Sequence, residues 1–162
     1  MSGWPRPRSS CGRNRMRSDL AIAPAAGRDL DAIHRIERDS FSVPWRRLFF
    51  ENELAAERRF NLVAKRSGVI VGYLFAMWIF DEMHVNKIAV AECERRQGIA
   101  DELMAECFAF ARANEIRTIS LEVRKSNLGA QAFYRHLDFE SSYIRPRYYP
   151  DGEAAVVMTR VV

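Results

Sequence analysis

Arg95-Arg96-Gln97-Gly98-Ile99-Ala100 decides how this chain is read. It follows Lys87-Ile88-Ala89-Val90, a short run that reads as a buried strand. It also opens a segment, Gly98–Asn114, in which Ile99, Leu103, Cys107 and Ala111 recur every four residues, as on a buried helix face. The first N–H groups of a helix lack intrahelical partners and lie at the positive end of the macrodipole, so such a junction binds anions. Gly98 lets a ligand approach the backbone, and small Ala100 keeps the turn uncrowded. No Lys-Ser or Lys-Thr follows the glycine, which excludes a Walker loop, and the first glycine of a dinucleotide fingerprint is missing. An ordinary basic loop before a helix-starting glycine would read the same way, so the surrounding chain has to decide.

Upstream, Leu20–Ala23 reads as a strand stopped by Pro24, and Arg28–Ser40 as a helix with Leu30, Ile33 and Ile36 on one face. Pro44 breaks that helix and starts another over about Arg46–Ala56. Phe60–Lys65 and Val69–Phe80 read as strands around a Ser67-Gly68 turn, followed by a strand at Glu82–Val90. Downstream come a strand at Thr118–Val123 and a helix capped by Ser126 or Asn127 and ending near Leu137. Strands at about Phe139–Ile144 and Glu153–Val161 flank a turn at Pro150-Asp151-Gly152. The order β-α-α-β-β-β-α-β-α-β-β, without repeat or linker, describes one α/β (α+β) layer fold on a mixed sheet.

The 162 residues suit one domain, with 48% hydrophobic and 28% charged residues, as in a soluble globular protein. The net charge of +4 first suggests nucleic acid as a partner. Yet residues 1–18 hold five arginines and no acid, so the rest carries 20 basic against 21 acidic residues, a net of −1. Residues 1–18 read as a disordered basic extension, or as an upstream misreading if translation begins at Met16; an RNA-binding arm is the other reading. Residues 19–162 form the domain. Cys11, Cys93 and Cys107 are an odd number without C-x-x-C spacing, which argues against a disulfide framework or a zinc site and fits a reducing cytoplasm. No apolar run spans a membrane, and no apolar region follows the basic start as in a signal peptide.

Arg95-x-x-Gly98-x-Ala100, between a strand and a helix, resembles the acetyl-CoA signature of the GNAT N-acetyltransferases. Further blocks follow in order. Leu121-Glu122-Val123-Arg124 with Ser126-Asn127, then Ala132-Phe133-Tyr134 and Leu137-Asp138-Phe139, are similar to blocks of the ribosomal-protein alanine N-acetyltransferases. So are Tyr148-Tyr149-Pro150, Asp151-Gly152-Glu153-Ala154-Ala155, and the early Phe41 and Pro44-Trp45. The resemblance covers about Leu20 to Val162. It implies the GNAT fold: a mostly antiparallel sheet of about seven strands flanked by about four helices.

Acetyl transfer to an amine needs a neutral nitrogen, a polarised thioester carbonyl and a proton for the departing thiolate. An α-amine, with a pKa of about 7.7–8.0, is roughly a tenth neutral near pH 7, whereas a lysine at about 10.4 is far less so. A modest base then suffices, a carboxylate acting through water, and Glu122 is the favoured residue. Along its strand Ile119, Leu121 and Val123 share one face, and Ser120, Glu122 and Arg124 the other. With helices on both faces, burial is expected to raise the Glu122 pKa. A solvated or ion-paired strand glutamate is the plainer reading.

The resemblance implies Glu122 as general base and Tyr134 as the acid that protonates the thiolate. It also implies loop amides and side chains of Arg95, Arg96, Gln97, Gly98, Ile99, Ala100 and Asp101 at the coenzyme pyrophosphate, with Asn127 at the cofactor. Backbone groups of Ile88, Ala89 and Val90 would pair with the pantetheine arm like an added strand. From the residues alone, Tyr134 reads as a core-edge tyrosine with its hydroxyl in water, beside a packing face of Ala130, Phe133 and Leu137. Tyr148 and Tyr149, opposite Phe41 and Trp45, either line an entrance for a peptide N-terminus or only close a hairpin.

His84 and Glu82 are rival bases that read as sheet-edge polar residues. Cys93 lacks an activating neighbour in the sequence, which speaks against a covalent route. Two residues depart from the family pattern. Asp101 would repel a phosphate, and Asp138 replaces a turn glycine, which puts the end of the Tyr134 helix in question.

The expected activity is transfer of acetyl from acetyl-CoA to a protein N-terminus, a ribosomal protein being a candidate, without metal. The alternatives are a lysine or small-amine acetyltransferase, and a non-catalytic coenzyme-sensing or ribosome-associated protein anchored by the arginine-rich arm. Oligomeric state is not legible.

Overall fold

Ser67 and Gly68 both take left-handed backbone angles, φ 49° and 78°, so they make the two-residue turn that joins antiparallel strands with the right twist. That turn sets the first hairpin of a computed structural model of the chain, which describes residues 19–162. The readings that fall on residues 1–18, including Met16, Cys11 and the arginine-rich arm, lie outside the described residues.

The elements are β1 (Leu20–Pro24), α1 (Leu30–Ser40), α2 (Arg47–Ala55), β2 (Arg59–Arg66), β3 (Val69–Ile79), β4 (Glu82–Val90) and α3 (Ile99–Ala113). They continue with β5 (Thr118–Arg124), α4 (Leu128–His136), β6 (Glu140–Arg145) and β7 (Ala155–Val161). The order is the one read from sequence. The strands form one seven-stranded sheet in the order β1-β2-β3-β4-β5-β7-β6, antiparallel except for the parallel pair β4–β5.

Alternation divides the sheet into two faces. Leu74 and Ala76 of β3 join Met83, Val85, Ile119, Leu121 and Met158 beneath α3, whose Ile99, Leu103, Cys107 and Ala111 are all buried. Tyr134 of α4 and Phe139 belong to the same core. Tyr73 and Phe75 point the other way and pack with Val63 and Ala89 against Leu30, Ile33 and Ile36 of α1 and Phe50 of α2. Each large side chain so buried contributes about 1.5–3 kcal/mol. Helices therefore cover both faces, which is the condition the Glu122 argument required.

In β4, Val85 lies opposite Ala76 and Lys87 opposite Phe75, so Asn86 is an extra residue, a β-bulge. The bulge shifts the alternation by one. Met83 and Val85 face α3, and so do Ile88 and Val90, while Ala89 faces α1. His84 and Lys87, three apart, thereby come to share the α1 face. Pairing between β4 and β5 runs from Glu82↔Thr118 to Val85↔Leu121, next to the bulge. Beyond it, β4 stays paired with β3 as far as Val90↔Gly72, and β5 stays paired with β7 as far as Arg124↔Ala155. The two strands part there, at the middle of the sheet. Among the described residues no helix is long and apolar enough to cross a membrane, and no group of three or more His, Cys, Asp or Glu could hold a metal ion.

Candidate active site

The loop after β4 takes the shape its glycine allows. Arg96 and Gly98 have φ 59° and 78°, and Gly98 is the N-cap of α3. The first intrahelical bond there is Glu102 N–H to the Gly98 carbonyl, so the amides of Gly98, Ile99, Ala100 and Asp101 have no partner within the helix. Gly72 lets α3 start close to the sheet, since a Cβ there would lie 3.1 Å from the Ala89 carbonyl oxygen and 3.3 Å from Ile99 Cγ2.

The side chains of this loop divide. Arg96 and Asp101 are exposed. Arg95 is engaged within the protein, its Nε donating to the Val90 carbonyl at 3.0 Å and its Nη2 to Ser40 Oγ at 3.2 Å. Gln97 accepts from Arg66 and donates to the Cys93 carbonyl at 3.3 Å. Arg66, only 2% exposed on β2, also pairs with Glu94. It is the internal cation that holds the loop, and sequence reading missed it because its partners lie 28 and 31 residues away.

Glu122, on β5 at the parting strands, has a side chain 9% exposed. Its Oε2 lies 2.6 Å from His84 Nε2, and its Oε1 lies 3.4 Å from Arg145 Nη1 on β6. His84 Nδ1 is 2.9 Å from Ser120 Oγ. Burial pushes the Glu122 carboxyl up, but the His84 hydrogen bond and the charges of His84 and Arg145 outweigh it and hold the group below its ordinary value. This corrects the expectation of a raised pKa, because burial alone was counted, without the hydrogen bond and charge that the fold brings against the carboxylate. The sheet-edge reading of His84 is corrected too, since β4 is central. Glu82 lies exposed at the start of β4.

Tyr134 is buried, not at the core edge. Its ring lies 5.2 Å from Phe133 and 5.6 Å from Phe139. The seam of α4 is centred on Gln131 and Tyr134, with Ala130, Phe133 and Leu137 only partly buried beside it. Burial first, then the nearby Tyr149 and Cys107, raise the Tyr134 phenol pKa, so the group stays protonated. The helix end is secure despite Asp138. Phe139 N–H donates to the Tyr134 carbonyl and Asp138 N–H to the Arg135 carbonyl, both at 3.0 Å, a Schellman closure with Asp138 at φ 61°. Asn127 Oδ1 accepts from Ala130 N–H at 3.0 Å and caps α4.

Glu122 and Tyr134 sit on opposite faces of the sheet, and Tyr149 bears electrostatically on both. Its ring lies 4.1 Å from the Arg124 guanidinium and edge-on to Tyr148 at 5.1 Å, while its backbone closes the β6–β7 turn through Tyr149 N–H to the Glu153 carbonyl. Tyr148 is exposed and lies near Arg145 and Glu122.

Across the same face, Lys87 Nζ sits 3.8 Å from the Phe41 ring and 5.4 Å from that of Trp45. It also lies 3.1 Å from Glu37 Oε1, which accepts Trp45 N–H at 2.7 Å, and the Tyr73 hydroxyl bonds the other oxygen of this fully buried carboxylate. The apolar positions of β4 carried the missed signal: 83 and 85, then 88 and 90, a change of parity that marks the bulge.

The same fold recurs in proteins this chain is similar to. The family model described as the Acetyltransferase (GNAT) family matches residues 30–139. The ribosomal protein bS18-alanine N-acetyltransferase of Escherichia coli (strain K12) is 33% identical over 134 residues, covering 80% of this chain and 89% of that protein. A crystal structure of the ribosomal-protein-S18-alanine N-acetyltransferase from Escherichia coli superposes with a TM-score of 0.83 at 30% identity, covering 88% and 94% of the two chains. Arabidopsis thaliana NAA60 in complex with acetyl-CoA, 18% identical, shares the fold with a TM-score of 0.79 over 88% and 98% of the chains. The chain belongs to the GNAT acetyltransferase family and is an acetyltransferase.

Proposed function

We propose that this acetyltransferase transfers acetyl from acetyl-CoA to the α-amine of a protein N-terminus, with a ribosomal protein as candidate acceptor. The observation that carries this reading is the state of Glu122: a largely buried carboxylate at the opening of β4 from β5, held below its ordinary pKa. Such a group is a weak base. It suits an α-amine with a pKa of about 7.7–8.0 and is poorly matched to a lysine at about 10.4. The Escherichia coli relative, named for an alanine of bS18, supports the same acceptor class.

Acetyl-CoA supplies an acetyl group activated as a thioester. The amides of Gly98 to Asp101, with Arg96, would hold its pyrophosphate, and Arg95 and Gln97 hold the loop in shape. Ile88, Ala89 and Val90 lie on the stretch of β4 that β5 leaves unpaired, where an extended arm can add as a strand. Asn127 fixes the start of α4 beside it. Phe41, Trp45, Tyr148 and Tyr149 form the acceptor side. Glu122 takes a proton from the amine, directly or through water, as the N–C bond forms and the C–S bond breaks. Tyr134 gives a proton to the sulfur, and both residues then re-equilibrate with solvent.

Glu122→Gln is expected to lower the rate at neutral pH by about 10²-fold or more while leaving coenzyme binding nearly intact. An unchanged rate removes Glu122 from the role. Tyr134→Phe with full activity removes the acid.

A further inference from the structure

Among the described residues, His84 holds Glu122 by a side-chain hydrogen bond, while Arg145 faces the other carboxylate oxygen, and the nearby β4 bulge marks the point where the strands part. An ionised carboxylate only accepts, so the short contact requires a proton on Nε2. In the neutral ring Nδ1 is then an acceptor, and Ser120 Oγ–H must supply its proton. The result is a directed chain, Ser120 to His84 to Glu122, carried by two adjacent parallel strands. We propose that His84 is a positioning residue for the reaction: it fixes the Glu122 carboxylate through Oε2, keeps Oε1 beside Arg145 and towards the acceptor side, and sets the strength of the base by its own charge. The inference rests on the reading of Glu122 as the base.

The surroundings allow that control. From β5 the groups on this face are Ser120, Glu122 and Arg124, the last engaged with Asp151 and Glu153 at 2.7 Å each. From β6 and the segment after it come Arg145, Tyr148 and Tyr149. β4 adds Asn86 and Lys87, and α2 adds Glu53, which is tied to Arg59 at 2.8 Å and Asn86 at 3.2 Å. Lys87 is held by Glu37. Arg145 pairs with Glu122 itself and keeps its charge, and Lys87 and Arg124 are paired with other carboxylates, so the imidazole is the neighbour whose charge can change beside Glu122. An added proton on His84 places a full cation at Oε2 and weakens the base. Acidification that charges both the amine and His84 therefore slows the reaction twice.

The test measures kcat from pH 6 to 9, with both substrates saturating, using acetyl-CoA and a peptide with a free N-terminal alanine. The wild-type acid limb is expected to be steeper than one proton. His84→Gln keeps a donor to Glu122 but cannot charge, so its limb is expected to flatten to one proton. Its plateau is expected to fall about tenfold from imperfect placement of the carboxylate, with both KM values little changed. Ser120→Ala is expected to lower kcat less while keeping the steep limb.

An activity-independent arm records imidazole ¹⁵N spectra of the whole protein at pH 8, with His84 assigned by the loss of its signal in His84→Gln. The expected tautomer is Nε2–H, and an Nδ1–H tautomer overturns the proposal. A His84→Gln limb superimposable on wild type also overturns it, provided Glu122→Gln has lowered the rate. If Glu122→Gln is itself fully active, the underlying reading of the base has failed, and the inference fails with it.

Discussion

Two opposed influences act on Glu122, and the His84 hydrogen bond with the nearby positive charge prevails over burial. The face occupied by this carboxylate was legible from the alternation of β5, because period two follows directly from the pleat. Its partners were not, since His84 and Arg145 are brought to it by separate strands. At the same scale Asp138 carries a cost. It stands at φ 61°, with a side chain 84% exposed and 3.9 Å from Arg160, in the closing position that glycine favours. Asp138→Gly is expected to stabilise the fold by about 0.5–1 kcal/mol, the relief of a left-handed aspartate exceeding glycine's unfolded-state entropy. Denaturant midpoints measure it, and a destabilised variant contradicts this account of the turn.

Elements show which parts of the sequence act together. The α1–α2 connection is held from below by Glu37, which accepts from Trp45 N–H and the Tyr73 hydroxyl and pairs with Lys87. Lys87→Met leaves this buried carboxylate without its counter-charge, at a cost of about 3 kcal/mol, and is expected to raise the acceptor KM more than the donor KM. Urea unfolding and two-substrate kinetics check both parts. At the start of α4, Glu153 accepts from Ser126 N–H at 2.8 Å, from Ser126 Oγ and from Arg124, and these bonds lower its pKa to about 2. A depressed carboxylate stabilises fully above its ordinary value near 4.5 and loses that contribution as pH falls through about 2. The wild type and Glu153→Gln are therefore expected to differ in stability at pH 7 and to converge towards pH 2, as pH-dependent unfolding will show. The helices and strands themselves were readable from periodicity and turn residues. The bulge at Asn86 was written in the parity of 83, 85, 88 and 90, a signal easily masked because each half alternates correctly by itself.

At the scale of the molecule, the sheet is continuous through β3 and β4 on one side and β5, β7 and β6 on the other, and it opens between them. A coenzyme bound across that opening joins the two halves. At 100 times its Kd it is expected to add about 2.7 kcal/mol of stability, raising Tm by about 5–10 °C. Gly98→Val, forced to φ 78°, is expected to lose most of that ligand-dependent shift, and a full shift in the variant contradicts the placement of the pyrophosphate at α3. The opening follows from where parallel pairing stops, a long-range register that no local pattern encodes, and sequence reached it only through family resemblance. The central claim, α-amine acetylation, is tested most directly by mass-spectrometric location of the acetyl group. The enzyme is given acetyl-CoA and one peptide with both a free N-terminal alanine and an internal lysine. The account predicts acetyl on the α-nitrogen with the lysine unmodified, and acetyl on the lysine side chain with a free α-amine would contradict it.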